Sequence, residues 1–185
     1  MFHSLLALKF GLLLLLFQNH VNSTITTTGS TQIQFEDKSG YTATGSNMIP
    51  VEIGFNVSGI ANPLPASASI TLQIWLTHKY NYDLIIRLYS PGPWIVISNQ
   101  RGSYFADVFN GTLFTDSASN SVATYNFNSD GVVTPLKSEQ ILANFIGNNL
   151  NGAWKLWIQD TLGHNHGSIR RATLTINGKI QIHTN

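Results

Sequence analysis

The strongest constraint on the fold is a period of two. Trp154, Leu156 and Ile158 alternate with Lys155, Trp157 and Gln159, and Ile70, Leu72, Ile74 and Leu76 alternate with Thr71, Gln73, Trp75 and Thr77. Successive side chains of a β-strand point to opposite faces, so each run reads as a strand with one buried face. The same alternation marks Val51 to Val57, Leu84 to Leu88 and Ala172 to Ile176, and Trp94 to Ile97 adds a short strand. Turn residues part these runs: Gly59 with Pro63 and Pro65, His78 to Asp83, Ser90-Pro91-Gly92-Pro93, and Thr161 to His166. Many short strands separated by turn signals predict an all-β antiparallel sandwich or jelly roll. Long loops are expected over Asn99 to Pro135, with Val108-Phe109, Leu113-Phe114 and Ala123 to Phe127 as short extended pieces. At most one short helix is expected, over Ser138 to Phe145, where Ile141, Leu142 and Phe145 share a side. Asn177-Gly178 offers a tight turn, with Ile180 and Ile182 returning as a last strand.

The first residues have a different logic. Lys9 precedes the apolar run Phe10 to Phe17, and Val21 and Ser23 suit a signal peptidase, so residues 1–23 read as a secretory signal peptide. The run is shorter than the roughly 20 apolar residues of a membrane span, and no later stretch approaches that length. Residues 24–31 are Thr-rich and read as a flexible lead-in, leaving 32–185 as one β-domain. The mature chain is therefore expected outside the cytosol. Cleavage also removes Lys9, which brings ten basic residues to nine against nine acidic. Neutrality gives no electrostatic reason to expect nucleic acid as a partner. The absence of cysteine excludes thiol nucleophiles, Cys-ligated zinc and iron–sulfur clusters.

Several side chains invite a chemical reading. Asp83, Asp107, Asp116 and Asp160 each sit at a loop or strand end, where hard oxygen ligands from several loops suit calcium; the alternative is that each accepts N–H groups of its own turn. His164 and His166 form an H-x-H pair that needs further ligands to hold a metal, or else a solvated turn. His78, Asp83 and Ser90 contain the residue types of a hydrolase triad, but no nucleophile elbow surrounds Ser90. Trp75 and Trp157 lie on the strand face opposite the aliphatic residues and Trp94 borders a Pro-Gly turn, and all three are candidates for partner contact or for sugar stacking. Asn56-Val57-Ser58 and Asn110-Gly111-Thr112 are glycosylation sequons.

Spaced motifs resemble a known family. His78-x-Tyr80-x-x-Asp83-Leu84, Leu88 and Ser90-Pro91 come first. Arg101-Gly102, Asp107-Val108-Phe109, Phe114-Thr115-Asp116, Phe145-Ile146-Gly147, Asn151-Gly152-x-Trp154 and Gly167-Ser168-Ile169 follow in order. Together they resemble the P domain (P/Homo B domain) of subtilisin-like proprotein convertases over roughly residues 50 to 177. Tyr82 stands where the family has Gly, and Asn165 where many members have Asp. The resemblance implies a jelly roll, calcium in some relatives, and association with serine endopeptidases and proteolysis. The convertases' catalytic domain, with its Asp, His and Ser motifs, has no counterpart ahead of this region. The expectation is thus a secreted, non-catalytic module with no certain cofactor. Its partner would be a protein, a separate subtilisin-like protease among the candidates; the alternative is a carbohydrate-binding sandwich that uses exposed tryptophans.

Overall fold

The computed structural model describes residues 20–29, 33–34, 50–162, 165 and 167–181. Its strands are β1 (His20–Gly29), β2 (Ile33–Gln34), β3 (Val51–Val57), β4 (Ser69–His78), β5 (Leu84–Tyr89), β6 (Trp94–Asn99), β7 (Asn110–Thr115), β8 (Gly152–Asp160) and β9 (Gly167–Gln181). One sheet runs β1-β9-β4-β7, with β2 also on β9, and the other runs β3-β8-β5-β6. All pairs of these strands are antiparallel. From β3 onward only β5 to β6 stays within one sheet, and every other connection crosses to the opposite one. That is a jelly-roll sandwich, as the alternation predicts. Among the described residues, helix is limited to two 3-10 turns, Asn81–Asp83 and Leu142–Phe145.

The alternation becomes the core directly. Val51, Ile53, Phe55 and Val57 run beside Ile158, Leu156 and Trp154 along the β3–β8 register, and Ile70, Leu72, Ile74 and Leu76 come from the other sheet. Trp154 is the largest fully buried side chain; its ring centroid lies 4.8 Å from that of Phe145, and its indole N–H donates to the Leu150 carbonyl at 2.8 Å. Truncating such a residue to alanine costs about 3–5 kcal/mol.

Four expectations differ from the structure. The Thr-rich stretch is strand: Thr24 to Gly29 pair with Asn177 to Ala172 inside β1. Residues 1–19, with the apolar run, lie outside the described residues, while His20 to Ser23, which the expected cut would remove, open β1. Asn177-Gly178 is not a turn but part of a continuous β9 that also includes Ile180; the pair lies opposite Thr24 and Ser23 on one side, with Asn177 opposite Ser69 on the other. Neighbouring strands hold those residues extended and override their turn preference. Ala123 to Phe127 is turn and irregular chain rather than strand, with Thr124 and Tyr125 both donating to the Ser121 carbonyl, and Val108-Phe109 likewise lies in a turn, closed by the Asn110 N–H on the Asp107 carbonyl at 3.0 Å.

Candidate functional site

Two groups of polar and aromatic side chains stand out, one buried at an end of the sandwich and one on an outer face.

The buried group forms where β4 ends and β5 and β8 meet. His78, the last residue of β4, is enclosed. Its Nε2 lies 3.2 Å from Asp160 Oδ2, and its Nδ1 lies 2.8 Å from the Tyr80 carbonyl. Its backbone N–H donates to Asp107 Oδ1 at 3.0 Å, and the Asp107 N–H returns to the His78 carbonyl at 3.0 Å. Asp107 holds φ at +59°, a left-handed conformation that Asp tolerates better than most residues. Asp83 joins through Asn165, whose amide donates to Oδ2 at 2.9 Å, and through Thr161, whose N–H and hydroxyl both reach the Asp83 carbonyl at 2.8 Å. Asn81 donates to the carbonyls of His78 and Phe105.

Of the four carboxylates read from the sequence, Asp83, Asp107 and Asp160 come to this end and Asp116 does not. Asp116 accepts the N–H groups of Leu142 and Ala143 at 2.9 and 2.8 Å, one on each oxygen, and so holds the second 3-10 turn. Asp160 Oδ1 takes the Leu162 N–H. Backbone hydrogens aimed at these oxygens do the opposite of what a cation needs. Among the described residues no three His, Asp or Glu side chains gather to hold a metal. His164 and His166 lie outside the described residues.

The triad reading fails on distance. Ser90 follows the last residue of β5 and Asp83 precedes the first, so about 20 Å of strand separates them. Ser90 instead closes its Pro-Gly-Pro turn, its hydroxyl donating to the Pro93 carbonyl at 2.6 Å.

The motif residues have structural duties throughout. Asn151 clasps the Ile60 peptide, accepting its N–H at 3.2 Å and donating to its carbonyl at 3.0 Å. Gly152 has φ +138°, and a Cβ there would stand 2.9 Å from Pro91 Cγ. Gly102 has φ +97°, and its Cβ would fall 2.5 Å from Asn81 Cβ and 2.8 Å from Val108 Cγ2. Arg101 pairs with Glu139 at 2.9 Å.

The second group crosses the outer face of the β3-β8-β5-β6 sheet. Lys155 pairs with Glu52 at 2.8 Å and sits over the Tyr89 ring at 5.2 Å. Tyr89 stacks on Trp94 at 5.7 Å, and the Arg87 guanidinium lies 5.3 Å from Trp94 and 4.8 Å from Trp157. Trp94 and Trp157 thus share one face. Trp75 is on the other sheet, under Arg171 at 4.6 Å, so the three tryptophans do not form one patch. The sequence reading misses Arg87 and Lys155, since a cation at an outward strand position is ordinarily just solvated. Asn56 is exposed on β3; Asn110 opens β7, where its Oδ1 accepts from Arg170 at 3.1 Å.

The chain matches the family model described as proprotein convertase P-domain over residues 67–176. No curated protein sequence matches it. It is similar in structure to the serine protease of Aeromonas sobria, at 14% identity and a TM-score of 0.47, covering 85% of this chain and 27% of the protease. A second similar structure is that serine protease in complex with a chaperone, at 14% identity and a TM-score of 0.48, covering 86% of this chain and 27% of the other. The chain therefore spans about a quarter of the length of these proteins. The family match extends over more than half of the 185 residues, and on that ground the chain belongs to the proprotein convertase P-domain family.

Proposed function

We propose that this chain is a secreted, non-catalytic P/Homo B module that works by binding another protein, with a subtilisin-like serine protease as the partner its family points to. The family match over residues 67–176 carries the reading. It is supported by the motif residues, which are occupied in holding loops and strands together: His78 on Asp160 and Asp107, Asp116 on the Leu142 turn, Asn151 on Ile60. Among the described residues no helix is long and apolar enough to cross a membrane. The outer face with Trp94, Trp157, Tyr89 and Arg87 has the residue types that dominate protein–protein binding energy. The sugar-stacking alternative needs an open indole face, whereas Arg87 lies over both Trp94 and Trp157. Asn56, exposed on an edge strand, is the better placed glycan acceptor of the two sequons.

The test is reconstitution. Purified chain added to a subtilisin-like catalytic domain lacking its own P domain is expected to lengthen the half-life of the protease activity and to co-elute with it. Labelling of the chain alone by an active-site serine probe, lost on one Ser→Ala change, would overturn the non-catalytic part. Absence of both co-elution and stabilisation across a panel of such proteases would overturn the partner.

A further inference from the structure

One cation on the outer face has no counter-charge among the described residues. Lys155 is neutralised by Glu52 at 2.8 Å. Arg87, on the central strand β5, forms no ion pair among the described residues, and its Nε is buried without a hydrogen-bond acceptor. Trp157 reaches it from β8, directly opposite in register, and Trp94 reaches it from β6 on the other side. A guanidinium is planar and binds carboxylates through parallel N–H groups, so a ring on either side restricts the directions from which a carboxylate can approach it. Holding a side chain in its bound geometry before the partner arrives removes part of the entropic cost of association.

We propose that Arg87 is a preorganised receptor for a single carboxylate of a protein partner that docks on this sheet face. The inference rests on the reading of the chain as a protein-binding module and names the chemistry of its partner. The anion comes from a protein rather than a sulfated glycan, because a polyanion is held by several unpaired cations and this face offers one among the described residues. Among the described residues, Glu52, Lys155 and Arg87 are the only charged ones at the outward positions of β3, β8, β5 and β6, and the first two satisfy each other. Trp94, 49% exposed and stacked on Tyr89, supplies apolar area beside the receptor.

The experiment selects random-sequence displayed peptides on the folded chain and measures the affinity of the recovered peptides, with a heparin oligosaccharide as competitor. Recovered peptides are expected to carry Asp or Glu and to shift the Trp94 and Trp157 fluorescence. Replacing that acid by its amide in the peptide, which leaves the protein untouched, should weaken binding about tenfold or more, and Arg87→Lys should do the same with the melting temperature retained. Peptides that bind this face without an acid, or that ignore both changes, would overturn the receptor while leaving a protein-binding face. A selection that recovers nothing would also overturn it. Binding of the heparin oligosaccharide at this face, lost in Arg87→Lys, would reassign the cation to a sulfated glycan and overturn the carboxylate. Failure of protease reconstitution alone would leave the receptor standing.

Discussion

Nε2 of His78 and Oδ2 of Asp160 meet at 3.2 Å, with side-chain exposures of 0% and 1%. Asp160 also accepts the Leu162 N–H, so one carboxylate ties the end of β4 to the loop after β8. Asp160→Ala leaves His78 Nε2 without its partner in an enclosed place and frees the Leu162 N–H in the half-buried loop. A loss of about 2–3 kcal/mol is expected, the cost of leaving a buried polar group without its hydrogen-bond partner. In a domain of this size that lowers the melting temperature by roughly 10 °C. Asp160→Asn, which keeps an acceptor for Leu162, should cost less. Thermal melts of the two variants check this, and an alanine variant that melts with the wild type would refute it.

Gly102→Ala should be among the most damaging single-methyl changes in the chain. The added Cβ meets Asn81 Cβ at 2.5 Å and Val108 Cγ2 at 2.8 Å, on a backbone at φ +97°. Overpacking and left-handed strain act together, and the expected loss is on the order of 3 kcal/mol. Urea denaturation gives the value; a loss below about 1 kcal/mol would mean the Asn81 turn yields easily.

Asp116→Ala should loosen one turn and little else. Both carboxylate oxygens hold N–H groups of the Leu142–Phe145 turn, an arrangement like a helix N-cap. The expected cost is about 1–2 kcal/mol. Amide exchange at Leu142 and Ala143 should rise about tenfold or more if the turn opens locally. Unchanged protection at both amides would contradict the geometry.

Asn151→Ala releases the Ile60 peptide from both of its hydrogen bonds. Two bonds of ordinary strength predict a loss of about 2 kcal/mol. Asn151→Asp should fare no better, because a carboxylate can accept the Ile60 N–H but has no hydrogen for the Ile60 carbonyl. A stable aspartate variant would show that only the accepted bond matters.

Chelation should leave the fold as it is. Asp107 Oδ1, Asp160 Oδ1 and both Asp116 oxygens accept backbone N–H groups, so melting curves with calcium and with chelator are expected to superimpose. A shift of several degrees would reveal an ion that contributes stability by binding the native state.

Much of this molecule can be read from its sequence, for a specific reason. Where one face of a strand is buried, its period of two is written in the residues, and β3, β4, β5 and β8 follow it residue by residue. β1 escapes such a reading because a run of threonines carries no alternation: Thr24 and Thr26 to Thr28 show strand only through their partners on β9. Asn177-Gly178 misleads for a related reason, since the strands beside it decide its conformation. The motif residues are legible as a family signature but not as fasteners, because the N–H groups that occupy Asp116 belong to Leu142 and Ala143, far along the chain. The division of Trp75 from Trp94 and Trp157, and the setting of Arg87 between two rings, depend on which strands become neighbours. No local pattern encodes that.

The place of β9 in the middle of its sheet sets a timetable for biosynthesis. Asn177 lies opposite Ser69, 108 residues earlier in the chain. At translation rates of roughly 5–20 residues per second, β4 emerges about 5–20 s before the strand that will cover one of its edges exists. During that interval Ile70, Leu72, Ile74 and Leu76 stand beside unpaired backbone, a template for other nascent strands. The cell has to keep β4 solitary until nearly the whole sandwich has been made. Stalled chains that end before residue 167 should therefore remain protease-sensitive, and those that expose residue 177 should not.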